Sequence, residues 1–241
     1  MSERRTILLD GRPVAYSFKR SRRRTIGFSV SHDGLSVTAP QRASLGHVEE
    51  ALCEKSRWIL DKLDKWADRP EPRSLAFRSG EIIPWLGGDL RLEIEERGVR
   101  TRVRHEAGRL VMTVDPALDG ALRERTLKSA LMRYFKREGL ALMAPKVQAY
   151  AAALDRSVAK VVIRDQKRRW GSCAPDGTIR LNWRLMGFPE ALIDYVCAHE
   201  AAHLVEVNHS PAYWAVVEQL MPDWKPRRQR MRDEAHRWVA F

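Results

Sequence analysis

The stretch from Ala191 to Glu206, ALIDYVCAHEAAHLVE, constrains this chain more than any other. It is apolar on nearly every side, and a helix without a polar face must be wrapped by the rest of a domain. Pro189, just ahead of it, suits a first helical position, where its missing N–H costs nothing. Inside the run stand His199 and His203 with Glu200 between them. Four residues of α-helix turn through about 400°, so the two imidazoles share a face one turn apart. Both then reach one ion at ~2.0–2.1 Å. Glu200 lies where its carboxylate can hold the attacking water.

Two histidines do not complete a catalytic zinc site, which takes three protein ligands and leaves one position open. The best third ligand is His209. The spacing predicts that the helix ends near Val207 and that Asn208–Pro211 begins another, with Ser210 as cap and Pro211 as first residue. His209 then occupies the elbow and is free to turn back toward the ion. Glu206 is a rival, because positions 199, 203 and 206 lie on one helical face. If the histidines were ordinary core residues, Glu200 would be a buried carboxylate without a partner. That arrangement is costly, and a divalent cation relieves it. A second His-Glu-Ala string, His105–Ala107, falls between two alternating runs and is closed by Gly108, which reads as a hairpin turn.

The rest of the chain reads as α+β. Asp10-Gly11 and Asp33-Gly34 each separate alternating runs, the preferred chemistry of tight hairpins. Ser44 caps an expected helix over 45–67 with Leu45, Val48, Leu52, Ile59, Leu63 and Trp66 on one face. Residues 1–67 therefore form a β-hairpin region with a helix, and the charged, proline-containing 68–74 reads as a linker. Residues 75–120 are β-rich, with a turn expected at Gly87-Gly88. Residues 121–241 are mainly helical, with a helix from 121 that Pro145 kinks or restarts before Leu154. No internal repeat is legible.

Of the 241 residues, 44% are hydrophobic and 31% charged, ordinary values for a folded globular chain. No apolar run approaches bilayer length, and MSERRTILLD lacks a signal core. The three cysteines form no CxxC pair, so a reducing, cytoplasmic setting is expected. The net charge of +12 is uneven, with +5 in residues 1–74 and +6 in 121–160. Such charge draws phosphate-bearing partners.

Beyond the metal motif, RRWGSCAPDGTIRLNWRL (168–185) and IDYVCAHEAAHLVEVNHSPAYWAVVEQLMPDWKPRR (193–228) resemble the YgjP-like metallopeptidases, HExxH zincins. More distantly the chain is similar to SprT-like and Wss-type proteases. RWILDKL (57–63) and WLGGDLRL (85–92) extend the resemblance over most of its length. Relatives usually carry a bulky aliphatic residue where this chain has Ala201, a difference of packing and not of ligation. The resemblance implies a zincin-like C-terminal domain with a small sheet, one Zn²⁺ on His199, His203 and His209, and Glu200 as general base.

Four functions follow from these readings. The first is a zinc metallopeptidase, with the substrate strand laid along Thr178–Arg184 and Trp170, Trp183 and Trp214 as possible walls of the cleft. The second is a nucleotide or phosphoanhydride hydrolase, since the cluster of Arg164, Lys167, Arg168, Arg169, Arg180 and Arg184 could clamp phosphate. Arg168, Arg169, Arg180, Asn182 and Arg184 are accordingly the candidate substrate-binding residues. The third is a protease recruited to nucleic acid, through Lys19, Arg20 and Arg22–Arg24 and through Arg123, Arg125, Lys128, Arg133, Lys136 and Arg137. The fourth is a non-enzymatic structural zinc site, which needs a fourth ligand from Glu206 or Cys173.

Overall fold

The structure, a computed structural model, describes residues 3–31, 33–67, 75–166 and 169–234. The chain is α+β and divides into two compact units, Met1–Glu71 and Pro72–Phe241. The segment read as a linker, 68–74, lies outside the described residues, as do Lys167 and Arg168. No helix among the described residues is long and apolar enough to cross a membrane.

The first unit opens with β1 (Glu3–Leu9) and β2 (Arg12–Ser21), joined across Asp10-Gly11. Both turn residues take positive φ, +46° and +79°, the conformation of a tight hairpin that glycine adopts without strain. Strands β3 (Gly27–Ser31) and β4 (Gly34–Pro40) make a second hairpin, and β2 and β4 run parallel at its centre. The sheet order is β1-β2-β4-β3. Its alternating apolar residues Leu9, Val14, Tyr16, Phe18, Leu35 and Val37 pack with Val48, Leu52 and Ile59 of the following helices. Ser44 caps the first of these, accepting from the His47 N–H at 3.2 Å. The single helix expected over 45–67 is in fact two, α1 (Leu45–Glu54) and α2 (Ser56–Ala67). At Lys55 the N–H reaches back three residues to the Leu52 carbonyl, tightening the last turn. The Ser56 hydroxyl then donates to Asp10 Oδ2 at 2.9 Å.

The second unit repeats that sheet. Strands β5 (Ile82–Trp85) and β6 (Gly88–Glu96) form one hairpin, and β7 (Val103–Glu106) and β8 (Arg109–Val114) another. Again the two inner strands run parallel, in the order β5-β6-β8-β7. The repeat escapes the sequence because it resides in hydrogen-bond topology and turn positions, which many alternating sequences satisfy. The first turn is Leu86-Gly87 (φ +49° and +83°), one residue before the Gly87-Gly88 expected. The second is Ala107-Gly108, so His105 and Glu106 end a strand and belong to no helical site.

Helix α3 follows as one continuous element, Gly120–Ala152, so of the kink or restart expected at Pro145 the restart does not occur. Proline removes one helical hydrogen bond there. Met143 and Val147, both fully buried, anchor the turns on either side in the core. A three-stranded sheet comes next: β9 (Lys160–Arg164), β10 (Gly171–Cys173) and β11 (Thr178–Asn182), in the order β10-β11-β9. A 3-10 turn, Trp183–Gly187, leads into α4 (Glu190–Ala202), α5 (Pro211–Leu220) and α6 (Trp224–Glu234). Residues from Leu75 to Met231 share one apolar core, with α4 at its centre: Leu192, Ile193, Cys197, Ala198, Ala201 and Ala202 are fully buried. The unbroken apolarity of that helix is thereby explained.

Candidate metal centre

Helix α4 carries His199 and Glu200 in its last turns, and His203 caps its C-terminus. Pro189 is the residue before the helix and not its first, and the helix stops at Ala202, well short of Val207. Leu204 and Val205 bond back three residues to Ala201 and Ala202, so the chain tightens and turns away. Ser210 starts α5 by accepting from the Tyr213 N–H at 3.2 Å, with Pro211 as first residue. His209 sits in the elbow between the two helices.

The turn-back brings three imidazoles together. Ligating nitrogens of His199, His203 and His209 all lie within 4.8 Å of one another. The Nε2 atoms of His199 and His209 are 3.2 Å apart. Two nitrogens bound at ~2.0–2.1 Å on a tetrahedral ion are separated by about 3.4 Å, so the spacing suits a shared ion. His203 Nδ1 lies 3.0 Å from the Glu206 main-chain carbonyl, which fixes the N–H on that nitrogen and leaves Nε2 free. Glu206 thus takes part through its backbone, and its carboxylate is not a member of the cluster. Burial pushes the His199 pKa down to about 3, helped by His203 and His209, which keeps the ring neutral as ligation requires.

Tyr213 forms the floor of the cluster. It is fully buried, stacks on His203 at 4.4 Å and donates from its hydroxyl to the His199 carbonyl at 2.9 Å. Trp214 stands beside it, 5.7 Å from His209 and stacked on Trp224 at 4.3 Å. Of the other two tryptophans considered as cleft walls, Trp183 is fully buried and Trp170 packs edge-on against Phe188.

Glu200 is 4% exposed, and its Oε2 has no hydrogen-bond partner. Burial drives its pKa up to about 8 against the opposing charge of Arg169. A cation and its water would satisfy this orphaned oxygen, whereas a sealed apolar core would not. The wall facing it is Gly171 on β10. A methyl group built there would lie 2.5 Å from Glu200 Oε1 and 2.6 Å from Cγ. The backbone can approach the carboxylate this closely only without a side chain. Gly171→Ala is therefore expected to displace Glu200 and cut turnover at least tenfold while bound metal stays constant. Unchanged turnover would show that Glu200 has room to spare.

Of the proposed substrate-binding residues, Asn182 donates to the Gln166 and Arg169 carbonyls at 2.7 and 3.0 Å and accepts from the Arg184 N–H. It pins the loop before β10. Arg184 pairs with Asp165 and lies over the Trp183 ring at 4.5 Å. Arg169 is exposed near Glu200, and Arg180 is half-buried on β11. The substrate strand was expected along Thr178–Arg184 as a sheet edge, but its strand Thr178–Asn182 is central and bonded on both sides; the edges are β10 and β9.

A family model for the YgjP-like metallopeptidase domain matches residues 24–234, nearly the whole chain. The chain belongs to the YgjP-like metallopeptidase family. It is accordingly a metal-dependent hydrolase of the peptidase class, with a metal cofactor and peptide or protein substrates. Among solved structures it is similar to the metallopeptidase zymogen of Pyrococcus abyssi abylysin, at 24% identity and a TM-score of 0.37, over 41% of this chain and 99% of that one. No curated protein matches the chain. Three features of this YgjP-like centre are absent from the sequence reading: the Tyr213 floor, Gly171 against Glu200, and Arg228 beside Trp214.

Proposed function

We propose that this chain is a zinc metallopeptidase in which His199, His203 and His209 hold one ion and Glu200 is the general base. The observation carrying this reading is a cluster of three imidazoles, with no fourth ligand among the described residues, and a buried carboxylate beside it. A structural zinc site needs a fourth protein ligand. Neither Cys173 nor the Glu206 carboxylate joins the cluster among the described residues. The bound ion would supply Lewis acidity, bringing the pKa of a water towards ~7 and polarising the bond under attack. Glu200 would take the proton from that water and deliver it to the leaving amine.

Strand β10 supports a peptide as the substrate. Trp170 and Ala174, flanking it, exchange hydrogen bonds with Asn182 and Thr178 of the β11 side. In an antiparallel ladder the alternate residues face away, so Gly171 and Cys173 turn their N–H and C=O groups to the open edge. An extended substrate adding there lies against Glu200. Phosphate chemistry is less favoured, because Arg184 is engaged by Asp165 and Asn182 by the loop it pins. The test is an assay of denatured proteins and nucleoside triphosphates with metal content measured in parallel. Release of phosphate without peptide cleavage would reverse the preference.

The two repeated sheets favour a nucleic-acid partner as well. On the outer face of β5–β8 two of the cations are paired in place, Arg104 with Glu95 and Glu106 and Arg109 with Glu93, while Arg91 has no ion pair among the described residues. On the outer face of β1–β4 a row of Arg4, Ser17, Ser36 and Ser29 lies beside Lys19 and Thr38, with the Arg23 guanidinium folded over Gly27. None of the three cations has an ion pair among the described residues. With hydroxyls and no aromatic ring, such a face suits phosphate backbones irrespective of base. Replacing Arg4, Lys19 and Arg23 together by Ala should make the salt dependence of duplex binding shallower by about 2–3 in log–log slope. An unaltered slope would place any binding elsewhere.

A further inference from the structure

Arg228, on α6, is half-buried and has neither an ion pair nor a hydrogen bond among the described residues. It is held by its flat face instead. The guanidinium carbon lies 4.5 Å from the centre of the Trp214 ring and 5.9 Å from that of Trp224, a cation–π arrangement. Neighbouring arginines behave differently: Arg227 bonds Asp223 and the Ala191 carbonyl, and Arg230 bonds Glu234. Trp214 also touches the metal cluster, 5.7 Å from His209 and 5.9 Å from His199.

A guanidinium keeps its charge at any pH a protein survives. Placed one indole away from three histidines that are to bind a divalent ion, it opposes that ion through like-charge repulsion. No carboxylate among the described residues forms an ion pair with it; its neighbours Arg227 and Arg230 take Asp223 and Glu234. A guanidinium left without an ion pair among the described residues, one indole from the histidine cluster, can receive an anion that enters with the substrate.

We infer that Arg228 receives a carboxylate of the peptide substrate, close to the bond being cut. This inference rests on the peptidase reading above. A carboxylate is the natural mate of a guanidinium, which grips both oxygens through parallel N–H bonds. The oxyanion formed at the scissile carbonyl is a poorer match, because Arg228 meets the cluster through Trp214 and makes no hydrogen bond to its histidines. An extended peptide advances ~3.3–3.6 Å per residue and only one indole separates Arg228 from His209, so the gripped group belongs to a residue within a few positions of the reacting carbonyl. Cation–π contact with Trp214 holds the guanidinium ready, so little is lost in ordering it when substrate arrives.

Binding to the zinc-loaded Glu200→Gln protein tests this without depending on turnover. The probes are N-acetylated peptides of one sequence, ending in a free carboxylate or a carboxamide, and an amidated peptide carrying an internal Glu. Calorimetry should show the free acid bound at least tenfold more tightly than the amide. Adding Arg228→Met should erase that difference and leave affinity for the amide as it was, with Arg228→Lys retaining part of the preference. If the amidated peptide with internal Glu shows the preference instead, the same chemistry holds and the carboxylate is a side chain. Equal affinity for all probes, a preference that survives Arg228→Met, or no binding of any probe would overturn the inference. Tryptophan fluorescence reports whether Arg228→Met keeps the Trp214–Trp224 stack; should it not fold, Arg228→Gln replaces it. Turnover by the wild-type enzyme separates the two ideas. Carboxylate-selective binding without any cleavage sinks the peptidase reading alone, and cleavage indifferent to carboxylates, with no binding preference, sinks the Arg228 assignment alone.

Discussion

Glu200→Gln is expected to lower peptide hydrolysis by about 10²–10⁴-fold, the usual contribution of a positioned general base, with one equivalent of metal retained. Glutamine fills the same space beside Gly171 and donates where the carboxylate accepted, so binding survives while proton transfer does not. The substitution should also stabilise the metal-free protein at alkaline pH. The Glu200 pKa is raised from its ordinary 4.5 to about 8 by burial. A group raised in this way adds stability that is complete below pH 4.5 and is lost as pH climbs through 8, because the unfolded chain releases the proton first. The metal-free wild type should therefore weaken by roughly 1 kcal/mol per pH unit across that interval, and Glu200→Gln should not. Thermal melts of both proteins from pH 5 to 8, after chelation, provide the measurement. Parallel pH curves would mean that water reaches the carboxylate in the folded state. Wild-type turnover in the variant would remove Glu200 from the chemistry.

His209→Ala should abolish metal retention through gel filtration, whereas Glu206→Ala should keep it. Spacing favours His209 and leaves Glu206 as a rival on the same helical face, and the geometry supports the same order. His209 faces His199 nitrogen to nitrogen at 3.2 Å, while Glu206 supports His203 through a main-chain carbonyl that alanine also possesses. Loss of a supporting contact typically costs about 10–100-fold in metal affinity, and loss of one of only three ligands should exceed that. Metal stoichiometry by elemental analysis, with competition against a chelator for affinity, distinguishes the two. Metal loss on Glu206→Ala with retention on His209→Ala would transfer the third ligand to Glu206.

Much of this centre is written locally. His199, Glu200 and His203 are brought together by helical pitch, and Ser210-Pro211 restarts a helix in a way that backbone chemistry dictates. The hairpin at Asp10-Gly11 is equally local, since aspartate and glycine both tolerate the positive φ that its turn requires. Errors arose where distant partners decide. Lys55 breaks a periodic helix because Ser56 reaches Asp10 across the first unit. Pro145 fails to break one because Met143 and Val147 are anchored in a shared core. The strand at Thr178–Asn182 was expected at an edge, yet β9 joins it in parallel from earlier in the chain, and parallel pairing leaves no turn signal to read.

The sequence by itself determined which groups could bind a metal and in what order along the chain, because helix pitch and capping act over four or five residues. Only the tertiary structure decided what surrounds them. It sets glycine against the Glu200 carboxylate, a tyrosine beneath the histidines and an uncompensated arginine beside them. Those neighbours come from β10, α5 and α6, and no local spacing relates them to α4. Their placement follows from burying one apolar core, a constraint that involves the whole second unit at once.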